Sequence, residues 1–149
     1  MLRLHCLAGA LFIAVAAINP AHAVDPIGLW LIADGTAKVR IFPCGEAICG
    51  TVAWLSEPLD AETGRPQTDK LNVEPHLRSR PMLGVSVILS MQRRSEDNKW
   101  IGRIYNPDDG KTYQASIEML DGSRLKVEGC ETVLSAMWCD AQIWTRSSN

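Results

Sequence analysis

The chain has 149 residues, 46% of them hydrophobic, and a formal charge of −2, which fits a single globular domain. Acids and bases are interspersed without a block of five or six of one sign. That excludes the concentrated basic face required by nucleic acid and the acidic block of a solvated tail.

The first element is an export signal. Arg3 precedes the apolar run from Leu7 to Ile18, Asn19-Pro20 breaks it, and Ala21-His22-Ala23 follows. A basic start, a short apolar stretch and an Ala-x-Ala motif predict a secretory signal peptide over residues 1–23. The apolar run of 12 residues is shorter than the ~20 needed to cross a bilayer. No later run is longer, so residues 24–149 are expected to form one domain without a transmembrane segment. Loss of Arg3 takes the charge to −3. The expected location is the periplasm or the exterior of a bacterial cell.

Short alternating runs separated by turn signals then predict strands. Gly28 to Ile32 is the first, and Asp34-Gly35 turns it into Lys38 to Phe42. Gly50 to Leu55 is the third. Val85, Val87 and Leu89 alternate with Ser86, Ile88 and Ser90 in the fourth. Lys99 to Tyr105 is the fifth, Asn106 to Gly110 a dense turn, and Thr112 to Met119 the sixth, with Tyr113, Ala115, Ile117 and Met119 on one face. Arg124 to Glu128 and Met137 to Thr145 complete eight strands. Hairpin connections leave a two-sheet sandwich or a closed up-and-down barrel, and closure is favoured because it removes exposed edges. Such a barrel is either filled by side chains or holds one small ligand. Most of Trp30, Trp54, Trp100, Trp138 and Trp144 are expected in the core. Gly102 and Ala115 leave space for a pocket or for a large neighbour.

Cys44, Cys49, Cys130 and Cys139 are an even set in an exported chain, which reads as two disulfides. Of three possible pairings the flanking pattern favours the local one. Cys44 and Cys49 end a tight connection, and Cys130 and Cys139 bracket the link between the last two strands. Neither spacing is that of a zinc knuckle or a Cys-x-x-Cys redox pair, and no metal or cofactor is expected.

Residues 56–82 show no periodicity. A connection this long is either functional or disordered; its prolines with Leu59, Leu71, Leu77 and Met82 predict an ordered loop folded over the barrel. The candidate ligand- or partner-binding residues are Asp60, Asp69, Arg78 and Arg80 in this loop, with Trp100 and Tyr113 on the barrel. The loop acids are expected to pair with Arg78 and Arg80 rather than act as acid and base. His76, with Asp60, Asp69 and Ser79 nearby in sequence, is the one candidate for hydrolytic chemistry, but no catalytic set is assembled. Asn106-Pro107-Asp108-Asp109-Gly110 lacks the spacing of a calcium loop and fits turn chemistry.

Phe42-Pro43-Cys44-Gly45, Thr68-Asp69-Lys70-Leu71-Asn72, Leu77-Arg78-Ser79-Arg80-Pro81 and Gly102 to Tyr113 resemble the DUF2147 family of exported bacterial proteins. The resemblance spans the mature chain and implies a domain type, with no activity to transfer. Gly28-Leu29-Trp30 and Trp144-Thr145-Arg146 also resemble the opening and closing strands of lipocalin and fatty-acid-binding barrels. That likeness implies Trp30 plugging one end with Arg146 across its ring. Three roles follow: binding of a small apolar ligand or envelope component, a non-enzymatic structural or protein-interaction module of the cell envelope, or a hydrolase using His76.

Overall fold

A computed structural model of the protein describes residues 25–148; the expected signal peptide lies outside them. Eight strands follow one another: β1 (Gly28–Leu31), β2 (Ala37–Cys44), β3 (Ala47–Leu55), β4 (Ser86–Arg94), β5 (Lys99–Asn106), β6 (Lys111–Met119), β7 (Arg124–Val133) and β8 (Ala136–Arg146). Each pairs antiparallel with its neighbours in chain order, and the sheet closes into a barrel. Closure runs through Trp30 opposite Arg146 and Leu31 opposite Thr145. The only other regular element among the described residues is a 3-10 turn, Pro75–Leu77.

The wall follows the alternation. Val39 and Ile41 of β2, Ile48 and Val52 of β3, Ala115 and Ile117 of β6, and Leu125 and Val127 of β7 are buried and form one core with Trp30 and Trp144. Polar or half-exposed residues stand between them.

In β4 the alternation fails. Val85, just before the strand, and Val87, Ile88 and Met91 within it are all buried, whereas Leu89 is only partly so. The register shifts against both neighbours and Ser90 takes φ 53°, so β4 is bulged and turns extra residues inward. The flanking strands make room with glycine. A Cβ on Gly50 would lie 2.9 Å from Ile88 Cδ1, and one on Gly102 would lie 2.8 Å from Met91 Cα. The space at Gly102 is therefore filled by Met91 and is no pocket.

The last hairpin is longer than its sequence implies. β7 runs to Val133 and β8 begins at Ala136, so Cys130 and Cys139 face each other inside the ladder rather than bracketing a connection. The turn escapes notice because Leu134 and Ser135, at φ 49° and 68°, take left-handed positions where glycine or asparagine is usual. The other disulfide joins Cys44 to Cys49 across the Gly45-Glu46 turn. Of the tryptophans, Trp30 and Trp144 are buried and Trp100 is half-buried. Trp54 and Trp138 are exposed, so three of the five tryptophans lie in or against the core, as expected of most of them, and two do not.

Candidate functional site

The two ends of the barrel differ. At one end Trp30 Nε1 donates to the Pro26 carbonyl at 2.7 Å, and the Arg146 guanidinium lies 4.3 Å from the Trp30 ring centroid. Arg146 also donates to the carbonyls of Gly122, Ile27 and Asp25 at 2.7, 2.9 and 3.0 Å. A Cβ on Gly28 would come within 2.6 Å of Arg146 Nη1. The segment leading into β1, the end of β8 and the β6–β7 turn are thus tied together by one cation that also covers an aromatic face. This end is shut.

At the other end the β3–β4 loop, residues 56–82, leans on the turn between β5 and β6. Its anchor is Asp69, whose side chain is wholly buried. Asp69 Oδ2 accepts from Arg80 Nε and Nη2 at 2.9 and 2.7 Å and from Asn72 Nδ2 at 2.8 Å. Oδ1 accepts from the Tyr105 hydroxyl at 2.6 Å, and Asn72 Nδ2 also donates to that hydroxyl at 2.9 Å. Burial, followed by the Asp69 hydrogen bond, pushes the Tyr105 phenol up to about 12. Gly110, at φ 72°, completes the clasp: a Cβ there would lie 1.8 Å from the Leu71 carbonyl oxygen. Leu59 and Leu71 are exposed and Met82 alone of the four apolar loop residues packs on the core. The loop is ordered as expected, and the expected pairing of a loop acid with an arginine holds it through Asp69 and Arg80, while Leu59 and Leu71 add no packing on the core.

Between the loop and the barrel wall lies an open cavity of about 940 Å3. Its floor is apolar, with Val39, Val52, Ile104, Val127 and Trp144. Toward the mouth Tyr113, Trp138 and Gln142 form the sides, and Ser56, Glu57, Gln67 and Met82 bring the loop ends into the lining. Six carboxylates ring it: Asp34, Glu57, Asp108, Asp109, Glu131 and Asp140. The Tyr113 hydroxyl donates to Asp109 Oδ2, a contact that raises the phenol to about 12. Asp34 Oδ1 accepts from the Thr36 hydroxyl and N–H at 2.7 and 2.9 Å, which lowers its carboxyl below the ordinary value.

Of the six residues singled out for binding, the cavity takes in Tyr113 alone. Asp69 and Arg80 are joined in the loop anchor, and Arg78 Nε donates to the Asn72 carbonyl at 2.7 Å. Asp60 accepts the N–H groups of Thr63 and Glu62 at 2.9 and 3.2 Å and shapes its own turn. Trp100 packs half-buried against the core. His76 is exposed on the 3-10 turn, and both oxygens of Asp69 accept from other donors. Asp108 and Asp109 sit in the expected turn, with Asn106 Oδ1 accepting the Asp108 N–H and Asp109 Oδ1 that of Lys111. Among the described residues, three potential metal ligands converge only at Glu128, Cys130 and Cys139, where the sulfurs are already in a disulfide.

The missed lining residues carried a signal. Stepping by two from Trp144 gives Gln142, Asp140 and Trp138; from Val127 it gives Gly129 and Glu131. The inward face of each strand turns from apolar to polar as it approaches the mouth. Polar residues at inward positions mark a solvent-filled interior.

A closed eight-stranded meander, shut at one end by a tryptophan under an arginine and hollow at the other, is a lipocalin-like barrel. Within that class, residues 28–146 match the model of the family described as "Uncharacterized protein conserved in bacteria (DUF2147)", and the chain belongs to that family. It is similar to the solved structure of HP1028 from the human pathogen Helicobacter pylori, described as belonging to the lipocalin family. The two superpose with a TM-score of 0.67 at 21% identity over 85% of each chain. At that identity the likeness concerns the fold. No curated protein matches the chain. No helix among the described residues is long and apolar enough to cross a membrane.

Proposed function

We propose that the protein binds a small ligand whose apolar part enters the barrel, with the 56–82 loop bracing the mouth. The carrying observation is the hollow interior: about 940 Å3 over an apolar floor, within the range of small-molecule pockets. A binding role rather than catalysis is supported by the loop anchor, where Asp69, the one buried carboxylate among the described residues, accepts from Arg80, Asn72 and Tyr105. Action outside the cytoplasm is supported by the Ala-x-Ala signal pattern and the two disulfides, which persist in oxidising compartments.

The test uses Gly129, which lines the cavity. A Cβ there would meet Ile104 Cγ2 at 3.7 Å and Tyr113 Cβ at 3.8 Å, ordinary contacts, so Gly129→Leu keeps the backbone and fills the space beyond. N-phenyl-1-naphthylamine fluorescence should rise saturably with the wild-type protein, and Gly129→Leu should weaken binding by about tenfold or more. No saturable signal with wild type would sink the proposal.

A second reading, docking of another envelope component, is favoured by the β7–β8 tip. Leu134 and Met137 are 97% and 73% exposed, and Trp138 is 67% exposed beside them. An apolar tip of this kind marks a contact surface. The same variant separates the two roles: a partner that docks on the tip would still be captured by Gly129→Leu, and a partner lost with the cavity would refute tip docking.

A further inference from the structure

The charges at the cavity are sorted by sign. Six carboxylates line it and no lysine, arginine or histidine does, in a chain with 17 acids and 15 Lys and Arg. Outside the cavity the acids are mixed: Asp25, Glu46, Glu62, Glu74 and Glu96 are in no ion pair among the described residues, and six others are paired. Asp60, Asp69, Asp97, Glu118, Asp121 and Glu128 each have a basic partner, and none of them lines the cavity. Among the described residues, Asp34, Glu57, Asp108, Asp109, Glu131 and Asp140 have no ion pair. The mouth therefore carries a net negative field, offset in part at Asp109 by Lys111, above an apolar floor, and low-dielectric walls concentrate such a field.

The arrangement does not fit a metal ion. No three of these six carboxylates come close enough together to share one; they are spread round the rim. Dispersed carboxylates suit a bulky cation that keeps part of its hydration. Aromatic rings stand among them: Glu131 is opposite Trp138 across β7 and β8, and Tyr113 and Trp144 also line the space. Ring faces attract alkylammonium groups, and the floor accepts a hydrocarbon body.

We propose that the cavity selects cationic amphiphiles, molecules with an apolar body and an amine or quaternary ammonium head. This inference rests on the binding reading above and names the ligand class of that same cavity.

The experiment is displacement of N-phenyl-1-naphthylamine by three competitors, decyltrimethylammonium and decanoate of equal chain length and calcium, all below micelle-forming concentrations. Decyltrimethylammonium should displace the probe at about tenfold lower concentration than decanoate. Added salt should shrink that ratio. In the double variant Glu131→Gln with Asp140→Asn it should fall by about threefold or more, while the neutral probe still binds. Equal or better displacement by decanoate, or a ratio unchanged in the double variant, overturns the cation preference and leaves the binding reading intact. Calcium displacing the probe more effectively than decyltrimethylammonium would assign the carboxylates to a metal and overturn it as well. Failure of the probe to bind wild-type protein defeats the binding reading, and this inference with it.

Discussion

In the barrel wall the fully buried side chains are Trp30, Ile41, Ile48, Ile88, Met91, Ile117 and Leu125; in the 56–82 loop the fully buried side chain is Asp69. The wall is held by apolar packing that any alternating sequence of suitable size supplies. The loop buries little apolar surface, since Leu59, Leu71 and Val73 are exposed and Met82 alone packs on the core, and it is held by one carboxylate with four donor contacts. Wall energy is spread over many side chains, and loop energy converges on one. The loop is therefore sensitive to single polar substitutions and tolerant of apolar ones, the reverse of the wall.

The largest effect is expected in the wall. Trp30→Ala removes the plug at the shut end and leaves Arg146 without its ring, so urea unfolding should show a loss of about 3–5 kcal/mol. A loss below about 1 kcal/mol would show that this end is held by the hydrogen bonds of Arg146 instead.

A smaller loss, about 2–4 kcal/mol, is expected for Asp69→Ala. It falls short of the full cost of breaking a buried pair because Arg80 is 35% exposed and keeps access to water. Proteolytic cutting within 56–82 should accelerate at the same time. Leu71→Ser, in the same loop, should stay within about 0.5 kcal/mol of wild type. If the leucine variant were the more damaging of the two, the polar account of the loop would be wrong.

The smallest effect is a pH dependence. Tyr105 and Tyr113 are the two tyrosines of the chain, and both are pushed up to about 12. The fold favours the neutral phenol of Tyr105. Its contribution is therefore intact below pH ~10, the unfolded value, and is lost as pH rises through about 12. Native protein should form little tyrosinate near pH ~10, whereas urea-unfolded protein should be half-titrated there. Tyr105→Phe should flatten the loss of stability across that window. A native titration curve overlying the unfolded one would remove the Asp69–Tyr105 bond from the description of the loop.

Eight strands, their order and the closed sheet were written in local chemistry. Alternation at Val39 to Ile41, Ala115 to Ile117 and Leu125 to Val127, with turns at Asp34-Gly35 and Asn106 to Gly110, needs only neighbours in the chain to be read. The cysteine pairs were legible for the same reason, each closing over a hairpin. The bulge in β4 was not, because it depends on Gly50 and Gly102, which lie on two different neighbouring strands. Nor was the bond from Asp69 to Tyr105, which spans 36 positions. The acid-lined mouth lay between these cases. The polar residues at inward positions of β7 and β8 were visible in the alternation, but six carboxylates from separate turns and strands became one field only when the sheet closed. Periodicity reports which side of a strand faces inward; only three-dimensional closure decides which inward side chains meet and whether anything fills the space between them.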